Sequence, residues 1–100
     1  MSETVTMVRI YLTESDAQLK TLLETLHDVE KVQGVTAFRG IAGFGASGKM
    51  HSSSLLDLSL DLPVVVEFFD SSDKAMRIVE HLSAQIGSGR IVHWNAQVNN

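Results

Sequence analysis

Residues 5–12 alternate as a strand does. Val5, Met7, Arg9 and Tyr11 fall on one face, and Thr6, Val8, Ile10 and Leu12 on the other. Both faces carry apolar groups, which predicts that both are covered. The period then changes. Leu19, Leu22, Leu23, Leu26 and Val29 recur at helical spacing behind Ser15-Asp16-Ala17-Gln18, a capping-box sequence. A helix is expected over residues 16–32, with Gly34 as its stop. Residues 35–41 form a second strand. Residues 62–69 form a third, with Pro63 at its start and Val64-Val65-Val66 continuous, as in a strand buried on both faces. Asp70, Ser71 or Ser72 can cap a second helix. Its stripe is Ala75, Ile78, Val79, Leu82 and Ile86, and Gly87-Ser88-Gly89 ends it. Over residues 90–98, Ile91, His93, Asn95 and Gln97 alternate with Val92, Trp94, Ala96 and Val98 in a final strand.

The order β-α-β-β-α-β specifies an α+β, ferredoxin-like fold: a four-stranded antiparallel sheet with two helices on one face. A sheet covered on one side is expected to be polar on the other, and strands one and three are not. An exposed apolar face of that size implies that a second subunit covers it. The chain is expected to be a single domain over residues 1–100, with a long loop at about 42–61.

Composition narrows the function. One hundred residues, 44% of them hydrophobic, can bury a core without staples. There is no cysteine, hence no thiol nucleophile or thiolate metal site. Formal net charge is −4, and the eight Lys and Arg residues are scattered, so nucleic acid is not an expected partner. No apolar run approaches a membrane span, and Met1-Ser2-Glu3-Thr4 does not open like a signal peptide, so a cytoplasmic protein without membrane insertion is expected.

About twenty residues between strands two and three far exceed an ordinary hairpin, and loops of that length usually carry function. Arg39-Gly40-Ile41-Ala42-Gly43-Phe44-Gly45-Ala46-Ser47-Gly48-Lys49-Met50-His51 combines four glycines with three basic side chains. Such a segment can turn backbone N–H groups toward an anion. Residues 43–48 match G-x-G-x-x-G, but a dinucleotide fold needs parallel βαβ units for which the chain has no room. Residues 43–49 match G-x-x-x-x-G-K, but Met50 stands where Ser or Thr would hold magnesium. A loop that uses glycine merely for its turns explains the same residues.

Arg39-Gly40 with Gly43-Phe44-Gly45, then His51, then Asp61-Leu62-Pro63-Val64-Val65-Val66-Glu67, resembles the PII-like domain of unknown function 190 family. Thr13-Glu14-Ser15-Asp16 resembles that family's opening, and the likeness covers nearly the whole chain. The resemblance implies a homotrimer like the PII signalling proteins, with sheets packed around the centre and the long loop projecting. It also implies small effectors, often adenine nucleotides, in clefts between subunits. The loop would engage a protein partner, frequently a membrane transporter or an enzyme. Gly87-Ser88-Gly89-Arg90-Ile91 is similar to the Gly-Asp-Gly-Lys-Ile turn with which PII proteins cradle phosphates. Ser88 stands for the Asp and Arg90 for the Lys, and residues 42–61 hold no tyrosine to match the modified one of PII.

The expected ligand-binding residues are therefore Arg39, Gly43, Gly45, Lys49 and His51 on the loop side, and Gly87, Gly89 and Arg90 on the other. Arg39 can fork onto a phosphate or carboxylate, or pair with Glu67 on the neighbouring strand. Lys49 is an anion contact or a solvated charge. His51 is a phosphate donor, a metal ligand or a pH-sensitive hinge. Arg90 with its glycines is an anion cradle or a plain tight turn. His27 and His81 are expected on helix surfaces, and the four histidines show no metal-ligand spacing. No catalytic residue is expected, and the carboxylates of Glu14 and Asp16 are read as favouring a helix N-terminus. Three rival functions fit the same order of elements. They are a dimeric α/β-barrel enzyme using Trp94 and His93, a metal-responsive trimer like the CutA proteins, and an adaptor that binds protein without an effector.

Overall fold

The computed structural model describes residues 2–14, 18–45, 51–52 and 62–100. Its elements are β1 (Ser2–Thr13), α1 (Gln18–Glu24), β2 (Val35–Arg39), β3 (Ala42–Gly43), β4 (His51–Ser52), β5 (Pro63–Asp70), α2 (Ser72–Ser83) and β6 (Ile91–Asn99). Four strands form one antiparallel sheet in the order β2-β5-β1-β6. The two central strands are thus the first and third long strands of the chain, as the ferredoxin-like arrangement requires.

Register decides which side chains meet. β1 pairs with β5 so that Thr6, Val8, Ile10 and Leu12 stand opposite Asp70, Phe68, Val66 and Val64. Paired residues share a face, so these eight point together toward the helices. The core joins Val8, Ile10, Leu12, Val64, Val66 and Phe68 of the sheet to Leu22 and Leu26, and to Ala75, Ile78, Leu82 and Ile86 from α2 and the turn after it. β1 is longer than the alternation over residues 5–12 suggests, because β6 accompanies it from Ser2, opposite Asn99, to Ile10, opposite Ile91. On β5 the helix side is buried and the other side half-buried, so a single chain covers one face rather than both.

The first helix differs from expectation at its end. α1 passes into a π-helical turn over Thr25–Val29, and the chain leaves the helix at Lys31, whose φ is 55°. The Val32 N–H donates to the Leu26 carbonyl at 3.1 Å, and Val32 packs against the core. Drawing Val32 inward forces the preceding residue into the left-handed region, so Lys31 rather than Gly34 ends the helix. The capping serine Ser15 lies outside the described residues. α2 starts after Ser71 and ends at Ser83, before the glycines. The N–H groups of Gln85 and Ile86 turn back to the Leu82 carbonyl, which lets Ile86 reach the core beyond the helix end.

Two polar residues are buried at the end of the sheet away from the long loop. The Thr6 hydroxyl lies 2.9 Å from that of Ser72. Asp70 accepts the Ser71 N–H at 2.8 Å and pairs with Lys74 at 3.2 Å. Lys74 also donates to the Lys31 carbonyl at 2.8 Å, so one ammonium ties α2, the buried carboxylate and the left-handed turn together.

Candidate functional site

The opposite end of the sheet gathers the residues that the sequence marks for binding. β1 and β2 finish there, and β5 and β6 begin. The Glu14 N–H donates to the Leu62 carbonyl at 2.7 Å and the Gly40 N–H to the Pro63 carbonyl at 2.7 Å. Pro63 explains two of the glycines. A Cβ on Gly40 would lie 2.8 Å from Pro63 Cγ, and one on Gly43 would lie 3.2 Å from it. The chain leaving β2 therefore crosses directly over the proline ring, and side chains there would push it away. Strand β2 stops at Arg39, two residues short of the expected end, because this crossing interrupts the ladder.

The long connection has a stem. Ala42 pairs with Ser52 and Gly43 with His51 in a short antiparallel ladder, β3 with β4. That places the backbone of His51 beside Gly43, so two expected site residues are neighbours. Gly45 follows in open space. Lys49 lies outside the described residues.

Arg39 pairs with Glu14, Nη2 to Oε1 at 2.6 Å, and not with Glu67. The reason is register. Arg39 stands opposite Val64, on the helix side of the sheet, while Glu67 points to the other side. There Glu67 meets Arg9, with Nη2 to Oε2 at 3.1 Å and Nε to the same oxygen at 3.2 Å. Strand parity shows that Arg39 and Glu67 take opposite faces. Glu14, whose sequence position suggests an acid favouring a helix N-terminus, is placed by the end of β1 as the ion-pair partner of Arg39.

At the other edge of the same sheet end, Gly87, Ser88, Gly89 and Arg90 make a tight turn into β6. Gly89 has a φ of 81°, a conformation that glycine adopts without steric cost. The Arg90 carbonyl accepts the Tyr11 N–H at 2.9 Å. A Cβ on Gly87 would touch Arg90 Cδ at 3.9 Å, so the arginine stem runs back along the turn. On the helix side, Gly87, Ser88 and Gly89 of this turn line a concavity of about 430 Å³ with Val79, Ser83 and His93. His93 belongs to the group, although the sequence suggests it only as an alternating strand residue or, with Trp94, as part of an enzyme pocket. Its parity with Ile91 is the signal that could have placed it there.

The two halves of the expected site thus share one end of the sheet but occupy opposite edges, β2 and β6. Three interstrand steps separate them, about 14 Å at the usual spacing. One chain does not bring Arg39 and Arg90 together.

The sheet face away from the helices is apolar. Tyr11, Phe38, Val92 and Trp94 are exposed on it, with Met7, Val65 and Phe69 half-buried among them. Arg9 sits in the middle, 5.6 Å from the centre of the Trp94 ring. A hydrogen bond with Tyr11, and then the Glu67 carboxylate, raise the already high pKa of its guanidinium. A groove of about 500 Å³ runs over β2 between Met7, Phe38 and Phe69.

These features define a ferredoxin-like chain with a stemmed loop and a glycine turn at one end of its sheet. The model of the domain of unknown function 190 family, described as Uncharacterized ACR, matches residues 5–98, and the chain belongs to that family. A UPF0166 protein of Aquifex aeolicus (strain VF5) is 32% identical over 84 residues, covering 79% of each chain. A UPF0166 protein of Methanocaldococcus jannaschii is 28% identical over 91 residues, covering 86% of this chain and 82% of its own. Among solved structures, the fold is similar to CPII from Thiomonas intermedia K12, a nitrogen regulatory PII-like protein bound to ADP, AMP and bicarbonate. That likeness has a TM-score of 0.77 at 18% identity, and covers all of this chain and 92% of the other.

Proposed function

We propose that this chain is a non-enzymatic, PII-like regulator of the cytoplasm. It acts as a homotrimer that binds a small anionic effector, an adenine nucleotide, in the clefts between subunits. Effector binding orders the loop around the β3–β4 stem and changes its fit to a protein partner, such as a membrane transporter.

The observation that carries this reading is the separation of the two half-sites. The loop root at Arg39 and the turn at Gly87, Gly89 and Arg90 lie at one end of the sheet on opposite edges. Subunits packed through their apolar sheet faces bring the β2 edge of one chain toward the β6 edge of the next. Each cleft then receives Arg39, Gly43, Gly45, Lys49 and His51 from one subunit, and Gly87, Gly89 and Arg90 from its neighbour. The nucleotide and bicarbonate bound by CPII support the ligand class.

The test is a thermal-shift titration with ADP, AMP, ATP and bicarbonate, with the assembly state measured by light scattering. A ligand at 100 times its Kd stabilises the native state by about 2.7 kcal/mol. The expected result is a saturable shift in a trimer, lost in both Arg39→Ala and Arg90→Ala. A folded trimer that none of these ligands stabilises would leave a loop that binds protein without an effector. A dimer with an enclosed pocket would point to enzyme chemistry instead.

A further inference from the structure

We propose that Glu14 competes internally for the anion-receiving face of Arg39, so that an effector enters the loop root by opening the Glu14–Arg39 pair. The inference rests on the effector-binding reading above and adds its regulation.

The geometry comes from the sheet. β1 and β2 both flank β5, and Leu12 and Arg39 stand opposite Val64 from its two sides. Glu14 follows β1 and is anchored by its N–H to the Leu62 carbonyl. Its carboxylate therefore reaches Arg39 across the start of β5. The guanidinium remains 55% exposed, and the carboxylate is 29% exposed. Arg39 is thus engaged by an acid of its own chain at a place where solvent and ligand still reach it.

The engagement is incomplete. Oε1 receives Arg39, while Oε2 is shut away from solvent and has no hydrogen-bond partner among the described residues. A fork between guanidinium and carboxylate uses both oxygens, and a buried acceptor without a donor is costly. A phosphate or bicarbonate offers the same guanidinium several solvated oxygens. Exchanging one anion for the other frees Glu14 to recover water around its stranded oxygen. The chain passes from Arg39 straight into Gly40 and the β3–β4 stem, so this exchange acts on the root of the loop.

The experiment compares wild type, Glu14→Gln, Arg39→Ala and the double variant by isothermal titration calorimetry. The probes are ADP with bicarbonate and, separately, inorganic pyrophosphate. Circular dichroism and light scattering verify that each variant is folded and assembled, and Glu14→Ala serves as a second variant if Glu14→Gln is not. Glu14→Gln is expected to bind about two- to five-fold more tightly, the range set by losing one partly exposed ion pair. The double variant is expected to bind as weakly as Arg39→Ala. Binding by Glu14→Gln where wild type shows none supports the competition as well. If Glu14 instead positions Arg39 for the ligand, Glu14→Gln weakens binding. That result, or an unchanged Kd, overturns the proposal while leaving the effector reading intact. No binding of either probe by any folded variant overturns both.

Discussion

Replacing Gly40 with alanine probes the packing at the loop root directly. The new Cβ would sit 2.8 Å from Pro63 Cγ and 3.3 Å from the Pro63 carbonyl oxygen. Neither neighbour is the free end of a flexible side chain. The pyrrolidine ring can pucker, but the carbonyl accepts the Gly40 N–H and belongs to the first residue of β5. Overpacking of this kind costs about 1–3 kcal/mol. Alanine also restricts the unfolded chain, which returns about 0.4–1 kcal/mol. The net expectation is a loss of about 1–2 kcal/mol. For a chain of this length that lowers Tm by roughly 5–15 °C, since each kcal/mol moves it by about 4–8 °C. The assay is thermal unfolding at one fixed protein concentration, because an assembling protein has a concentration-dependent Tm. Gly34→Ala is the internal control. Its Cβ would meet nothing within 4 Å, and no gain of strain is expected there. Pro63→Ala removes the clashing carbon, so Gly40→Ala combined with Pro63→Ala should cost less than the sum of the two single changes. A Gly40→Ala protein as stable as wild type, or strict additivity with Pro63→Ala, would refute the contact.

Two further outcomes are expected. Phe38→Glu places a carboxylate on the apolar sheet face at a residue that is 50% exposed and outside the core. The chain should stay folded by circular dichroism while the proposed trimer falls to monomer by light scattering, and an unchanged assembly would remove this face from the proposed interface. Lys31→Gly relieves the left-handed backbone at φ 55° and should stabilise the chain by about 0.5–1 kcal/mol, the steric gain of about 1–2 kcal/mol less the entropy glycine adds to the unfolded state. Urea unfolding measures it, and a loss of stability would show that the Lys31 side chain contributes more than its conformation costs.

The fold was legible because period and order are local properties. Val8, Ile10 and Leu12 announce a strand face, and Ala75, Ile78 and Leu82 a helix stripe, without knowledge of what they touch. Boundaries failed where a distant group intervened. Gly34 is a good helix stop in isolation, yet Val32 reaches the core and makes Lys31 turn first. Residues 40–41 continue the β2 alternation, yet Pro63 carries the chain off the ladder. The same distinction governs the site. Gly87, Gly89 and Arg90 could be read as a turn because they are contiguous. The partner of Arg39 could not, since choosing Glu14 over Glu67 requires the register of three strands and the face on which each side chain falls.

That register also separates two uses of arginine in one small sheet. Arg9 and Arg39 both pair with glutamate, but parity sends them to opposite faces. Arg9 is held by Tyr11, Glu67 and Trp94 within an apolar surface, where a covering subunit would meet a pair already matched in charge rather than a lone cation, whose burial would cost far more. Arg39 meets Glu14 Oε1 at the root of a glycine-rich loop and keeps half its surface open. The first arrangement suits assembly, because it presents little unpaired charge to a partner surface. The second suits the proposed exchange, because Glu14 Oε2 has no hydrogen-bond partner among the described residues and an incoming anion can offer more contacts than it displaces. The proposed assembly face and the proposed exchange site then share no residue, so exchange at Arg39 can be lost by mutation while assembly persists, whereas loss of assembly would also separate the two half-sites.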